Sequence, residues 1–157
     1  DEGRLAGENA GRYPHVYRRE RRVPLAIVFS DPQIAIVGPS YASLQTEYKE
    51  LTVGTADFAD QGRARSFLIN RGRMHLYGNR ATGQYLGAEM IVPAAEHMAH
   101  LLALAMHQRM QVEALLQMPF YHPVLEEGLR SGLRHLLSEM GRATRPPLRC
   151  IDCGPGG

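Results

Sequence analysis

The recurrence of Leu125, Leu129, Leu133, Leu136 and Met140 constrains the fold more than any other feature of this chain. Steps of three and four residues put these side chains on one stripe of a helix, and that stripe must find an apolar surface to cover it. Directly ahead stand Phe120-Tyr121-His122-Pro123, then Val124-Leu125-Glu126-Glu127. Proline suits a first helical turn, where its missing N–H would have no partner anyway. The spacing therefore predicts His122 at the start of a helix anchored by packing. Glu127 falls in the first turn, where a carboxylate is favoured by unpaired N–H groups and the helix dipole. From there it can reach back to one imidazole nitrogen and leave the other free to take a proton, as in a His–carboxylate general base. A His-Pro ahead of a helix is, on spacing alone, more often a cap or a packed loop.

The rest of the chain supplies the surface that such a helix needs. Leu25–Phe29 and Ile34–Val37 read as short buried strands broken by Ser30-Asp31-Pro32. Pro39–Tyr48 reads as a short helix. Leu51–Phe58, Arg65–Asn70, Met74–Tyr77 and Tyr85–Ile91 read as further strands of an antiparallel meander, with turns around Gly62, Gly72 and Gly83. Pro93 opens a helix from about Ala94 to Gln108, and Val112–Gln117 makes another. At the N-terminus Gly3, Gly7 and Gly11 share one helical face, which would let another backbone come close. A frayed terminus is an equal reading of that segment.

Two stretches resemble one family. His122-Pro123-Val124-Leu125-Glu126-Glu127 is similar to the His-Pro-x-x-x-Glu signature that closes the pyridine nucleotide–disulfide oxidoreductases, dihydrolipoamide dehydrogenases above all. Val124 stands where the family usually has threonine, and Glu126 where it has serine or a similar residue. Phe29-Ser30-Asp31-Pro32-Gln33-Ile34-Ala35-Ile36-Val37-Gly38 resembles the opening of the family's interface domain, with Gln33 in place of the usual glutamate. Leu86-Gly87-Ala88-Glu89-Met90-Ile91 resembles the segment before its long helix. The resemblance implies an α+β interface domain at residues 24–141, with an antiparallel sheet of about five strands and helices on one face. Residues 1–23 would be a helix and basic linker from a preceding FAD-binding domain, and residues 142–157 a flexible tail.

The same resemblance implies a function held by a longer parent. His122 would be the base that takes a proton from a dithiol such as dihydrolipoamide, and Glu127 would orient it. The main chain at His122 and Pro123 would lie near the flavin of the partner subunit in a homodimer. FAD and NAD(P) would be held mainly by other domains, because no Gly-x-Gly-x-x-Gly turn and no N-terminal active dithiol occur in these residues. The chain starts at Asp1 within a polar helix and reads as a piece of that parent, inactive alone and binding no cofactor by itself.

Other signals are weaker. A formal net charge of +2 does not argue for nucleic acid. The basic run Arg12–Val23 reads as a solvated linker. No apolar run approaches a membrane span and no leader pattern is evident, so the expected location is cytoplasmic. His97, His100 and His107 with Glu96 have helical spacing but no cysteine support, so no metal site is expected. Cys150 and Cys153 form one Cys-x-x-Cys pair in the tail, read as two reducible thiols. Mercuric reductases, which resemble this outline with a different cysteine spacing, are the second reading within the superfamily. A stand-alone dimerisation or binding module is the rival from another class.

Overall fold

A computed structural model describes residues 2–142. The elements in order are α1 (Glu2–Arg12), β1 (Leu25–Val28), β2 (Gln33–Val37), α2 (Tyr41–Glu47), β3 (Leu51–Asp57), α3 (Gly62–Ser66), β4 (Arg73–Asn79), β5 (Tyr85–Val92), α4 (Ala95–His107), α5 (Val112–Leu116) and α6 (Glu127–Glu139). Five strands form one antiparallel sheet in the order β1-β2-β5-β4-β3. This is the expected α+β arrangement.

Alternation along the strands creates two unlike faces. Ala35, Val37, Met74, Leu76, Ala88, Met90 and Val92 point to one side and are buried. There α4 covers β1, β2 and β5, and α6 covers β3 and β4. The stripe predicted on α6 is the part that docks: Leu129, Leu133, Leu136 and Met140 are buried, with Leu125 partly so. Truncating one of the fully buried leucines to alanine would cost about 2–5 kcal/mol. The opposite face is dry only at one end. There α2 sets Leu44 beside Tyr77 and Leu86, and Glu89 ties the helix down by accepting from Tyr41 N–H at 3.0 Å and Tyr77 O–H at 2.9 Å. Burial, then the hydrogen bond to Glu89, raises the Tyr77 pKa, so its hydroxyl stays a donor.

One expected strand is not a strand. Arg65 and Ser66 belong to α3, and residues 67–72 turn back toward β4. Gln61 caps α3 with its side chain, and Ala64 is fully buried. Capping and one inward alanine outweigh the alternating pattern that favoured extended chain. The glycine-bearing helix α1 forms, but none of its residues is buried, and nothing lies within 4 Å of a Cβ built at Gly3, Gly7 or Gly11. Asn9 ties the basic linker back to it, accepting from Tyr17 N–H at 2.8 Å and donating to Tyr17 C=O at 3.0 Å.

Long-range side chains close the helix ends and the free edge. Ala94, left-handed at φ 51, offers α4 no side-chain cap, and Gln33 of β2 accepts the Glu96 N–H at 3.2 Å instead. Along the outer edge of β3, His135 Nδ1 accepts from Thr55 N–H at 2.9 Å, which covers an otherwise open strand group. That bond requires Nδ1 to be unprotonated.

Glycines let α6 approach closely. A Cβ at Gly54 would meet Leu136 Cβ, with Gly132 O at 2.6 Å and Leu136 Cα at 2.7 Å. Gly62, at the start of α3, has nothing within 4 Å and an ordinary φ. Gly54→Ala should therefore lower stability by about 1–3 kcal/mol through overpacking. Gly62→Ala should be neutral or raise stability by up to about 1 kcal/mol. Urea unfolding midpoints of the two variants check both signs.

Candidate functional site

The loop between α5 and α6 carries His122, and α6 starts at Glu127. The structure brings the two together as the spacing predicts. His122 Nδ1 lies 3.0 Å from Glu127 Oε1 and 3.1 Å from Oε2. An ionised carboxylate can only accept, so the ring proton belongs on Nδ1 and the lone pair on Nε2. Among the described residues Nε2 has no partner, and the imidazole side chain is 81% exposed while Glu127 is 20% exposed. A half-sheltered acid thus holds a presented base. The His122 hydrogen bond lowers the Glu127 pKa, with further lowering from Val124 N–H and the charges of His122 and Arg130; desolvation opposes them.

Pro123 is not in the first helical turn. It lies in a turn that ends where α6 begins at Glu127. Ahead of that helix the Val124 N–H donates to Glu127 Oε2 at 3.2 Å, and its C=O accepts from Gln61 Nε2 at 2.7 Å. Both main-chain groups of Val124 are thus taken up by side chains at the entry to α6. Below the loop, Arg130 lies 6.0 Å from the Phe120 ring centroid. Gly128 takes the Phe58 ring where a Cβ would sit.

The other predicted groups do not converge. His100 Nδ1 bonds the Glu96 carbonyl at 2.7 Å, and His97 Nε2 is 3.7 Å from the Glu96 carboxylate. Among the described residues, no three of His, Cys, Asp and Glu gather as a metal would need. Cys150 and Cys153 lie outside the described residues. No helix among the described residues is long and apolar enough to cross a membrane. A concavity of about 400 Å³ lies on the opposite face of the sheet, lined by Ile34, Ile36, Arg73, His75, Glu89 and Ile91, and it includes neither His122 nor Glu127.

Sequence reasoning missed Gln61, Gly128 and Gly132. A signal existed for the glycines, since they lie four apart beside Leu129 and Leu133. Gln61 had none, because its partner is 63 residues away.

The lowered Glu127 pKa fixes a pH dependence. A carboxylate whose folded value is below its ordinary 4.5 stabilises the fold above that pH. The contribution is lost as pH falls through the lower folded value. The difference in urea midpoint between wild type and Glu127→Gln should shrink as pH falls below 4.5.

Comparison with known proteins gives the family. Residues 24–132 match the model of the pyridine nucleotide-disulphide oxidoreductase dimerisation domain. Mitochondrial dihydrolipoyl dehydrogenase of Sus scrofa is 30% identical over 118 residues, covering 75% of this chain and 23% of that protein. The Homo sapiens counterpart is 29% identical over the same share of each. The chain thus spans about a quarter of the curated relatives it matches. Among solved structures, LpdA from Mycobacterium tuberculosis superposes with a TM-score of 0.70 at 24% identity, covering 86% of this chain and 29% of that one. The HOCl-induced flavoprotein disulfide reductase RclA from Escherichia coli gives 0.66 at 23% identity, covering 75% and 26%; at such identity both show the fold alone. The matched segment takes in every strand, α2 to α5, His122 and the start of α6, and on that extent the chain belongs to the pyridine nucleotide-disulphide oxidoreductase dimerisation-domain family.

Proposed function

We propose that this domain completes the dithiol site of a flavin-dependent, NAD(P)-linked oxidoreductase of the dihydrolipoamide dehydrogenase type, acting across a twofold homodimer. The observation that carries the reading is the exposed imidazole held at Nδ1 by Glu127. An imidazole with one nitrogen bonded and the other open is suited to accept a proton from a group brought to it. The dihydrolipoyl dehydrogenase relatives supply the substrate class, a dithiol.

In this reading His122 Nε2 takes the proton of one substrate thiol. The thiolate then attacks one sulfur of the parent's redox disulfide to form a mixed disulfide, and the other sulfur leaves with the electron pair and takes the proton back from His122. Nε2, free again, takes the proton of the second substrate thiol. That thiolate attacks the substrate sulfur of the mixed disulfide, closes the substrate disulfide and expels the second parent sulfur as a thiolate, leaving the parent's pair reduced. Glu127 keeps Nδ1–H oriented and stabilises the imidazolium formed in each transfer. FAD, held mainly by other domains of the parent, would supply the onward redox chemistry that empties the reduced dithiol. The fit of this chain to that cofactor is limited to the loop main chain. His122 and Pro123 are exposed, and among the described residues the His122 C=O accepts no hydrogen bond. No glycine-rich turn that would cradle a pyrophosphate occurs in these residues. Catalysis is accordingly assigned to a longer parent and not to this segment alone.

In that full-length parent, His122→Ala should lower dithiol oxidation by about 10²–10⁴-fold, the usual share of a general base, while flavin absorbance is retained. Near-normal turnover in the variant would remove the assignment. Glu127→Gln should be milder, because a neutral amide oxygen still accepts from Nδ1–H.

A further inference from the structure

We infer that Gln61 is a positioning residue for the His122–Glu127 pair, holding the loop on which the imidazole is displayed. The inference rests on the reading of His122 as a base. Gln61 is 8% exposed, and both ends of its amide are used. Oε1 accepts from Ala64 N–H at 2.6 Å, and Nε2 donates to Val124 C=O at 2.7 Å. The amide orientation is settled by its partners, since one is a donor and the other an acceptor. From Val124 the connection continues through its N–H to Glu127 Oε2, and from that carboxylate to His122 Nδ1.

A second contact comes from the same corner of the fold. Phe58 lies three residues before Gln61 and is fully buried, with its ring against Gly128 in the first turn of α6. The link from β3 to α3 therefore grips both parts of the dyad: the helix through Phe58, and the loop through Gln61. An exposed ion pair alone holds two side chains weakly. A buried amide bonded to the intervening main chain removes freedom that such a pair cannot. What Gln61 adds is a fixed direction for the Nε2 lone pair before any substrate arrives.

The test separates capping from bridging. Gln61→Asn keeps a strong N-cap side chain but is one methylene too short to reach Val124. Gln61→Glu keeps the length and the acceptor for Ala64 N–H but, ionised, has no proton to donate to Val124 C=O. In the 157-residue chain, ring ¹⁵N chemical shifts of His122, read at a pH where the imidazole is neutral, give the ratio of Nδ1–H to Nε2–H tautomers. Wild type should be rich in Nδ1–H. Both variants should lose about fivefold in that ratio, the factor that one ordinary hydrogen bond is worth, with the helical signals of α3 kept. An unchanged ratio in either folded variant would overturn the positioning role and leave the base assignment standing. A wild-type ring without Nδ1–H preference would overturn the dyad and this inference together. If His122→Ala leaves the parent's turnover intact while the variants shift the ratio, the base assignment fails and the bridge stands.

Discussion

The close approach of α6 to β3 is the contact on which the rest depends. Helix and sheet backbones come near enough that a Cβ at Gly54 would overlap Leu136, and one at Gly132 would come within 2.9 Å of Leu76. Such a fit leaves little room to slide or rotate, because tight interiors resist small displacements. Leu129, Leu133 and Leu136, all fully buried, supply the apolar area that keeps the helix down. Once the axis is fixed, the position of its first residue is fixed too. Glu127 is that residue, so the direction of the carboxylate follows from glycines and leucines that do no chemistry themselves.

The electrostatics of the pair take second place to this anchoring. An exposed histidine and a mostly sheltered glutamate attract in a medium that solvent screens, and such pairs typically contribute about 0–1 kcal/mol. That is too little to order a loop. The main-chain bonds of Val124 on either side do more, because they close a short ring of contacts from the loop to α6 and to the start of α3. The carboxylate then accepts from two donor atoms, His122 Nδ1 and Val124 N, in keeping with its lowered pKa.

The sheet shows how one alternation can serve two purposes. Its helix-covered side is mostly apolar, with Thr52 of β3 a buried polar exception, whereas its other side changes character along its width. Near α2 it is closed by Leu44, Tyr77 and the Glu89 hydrogen bonds. Away from α2 it leaves Ile34, Ile36 and Ile91 partly exposed beside Arg73 and His75. A sheet covered by helices mainly on one side is common among antiparallel architectures. His135 adds protection where pairing stops, at the free edge of β3.

What the sequence determined by itself is the local and the periodic. The apolar stripe of α6, the strands β1 to β5, and the reach of Glu127 back to His122 all depend on spacings within about two turns of chain, which side-chain direction largely sets. Only the tertiary structure decided where Pro123 lies, that Arg65–Asn70 is a short helix and a turn, and that Gln33 closes α4. It also decided that Gln61 meets Val124 and that His135 meets Thr55, 80 residues apart. The last three of these are hydrogen bonds between distant segments. Their energy exists only after hydrophobic docking has placed the partners, so no local pattern announces them.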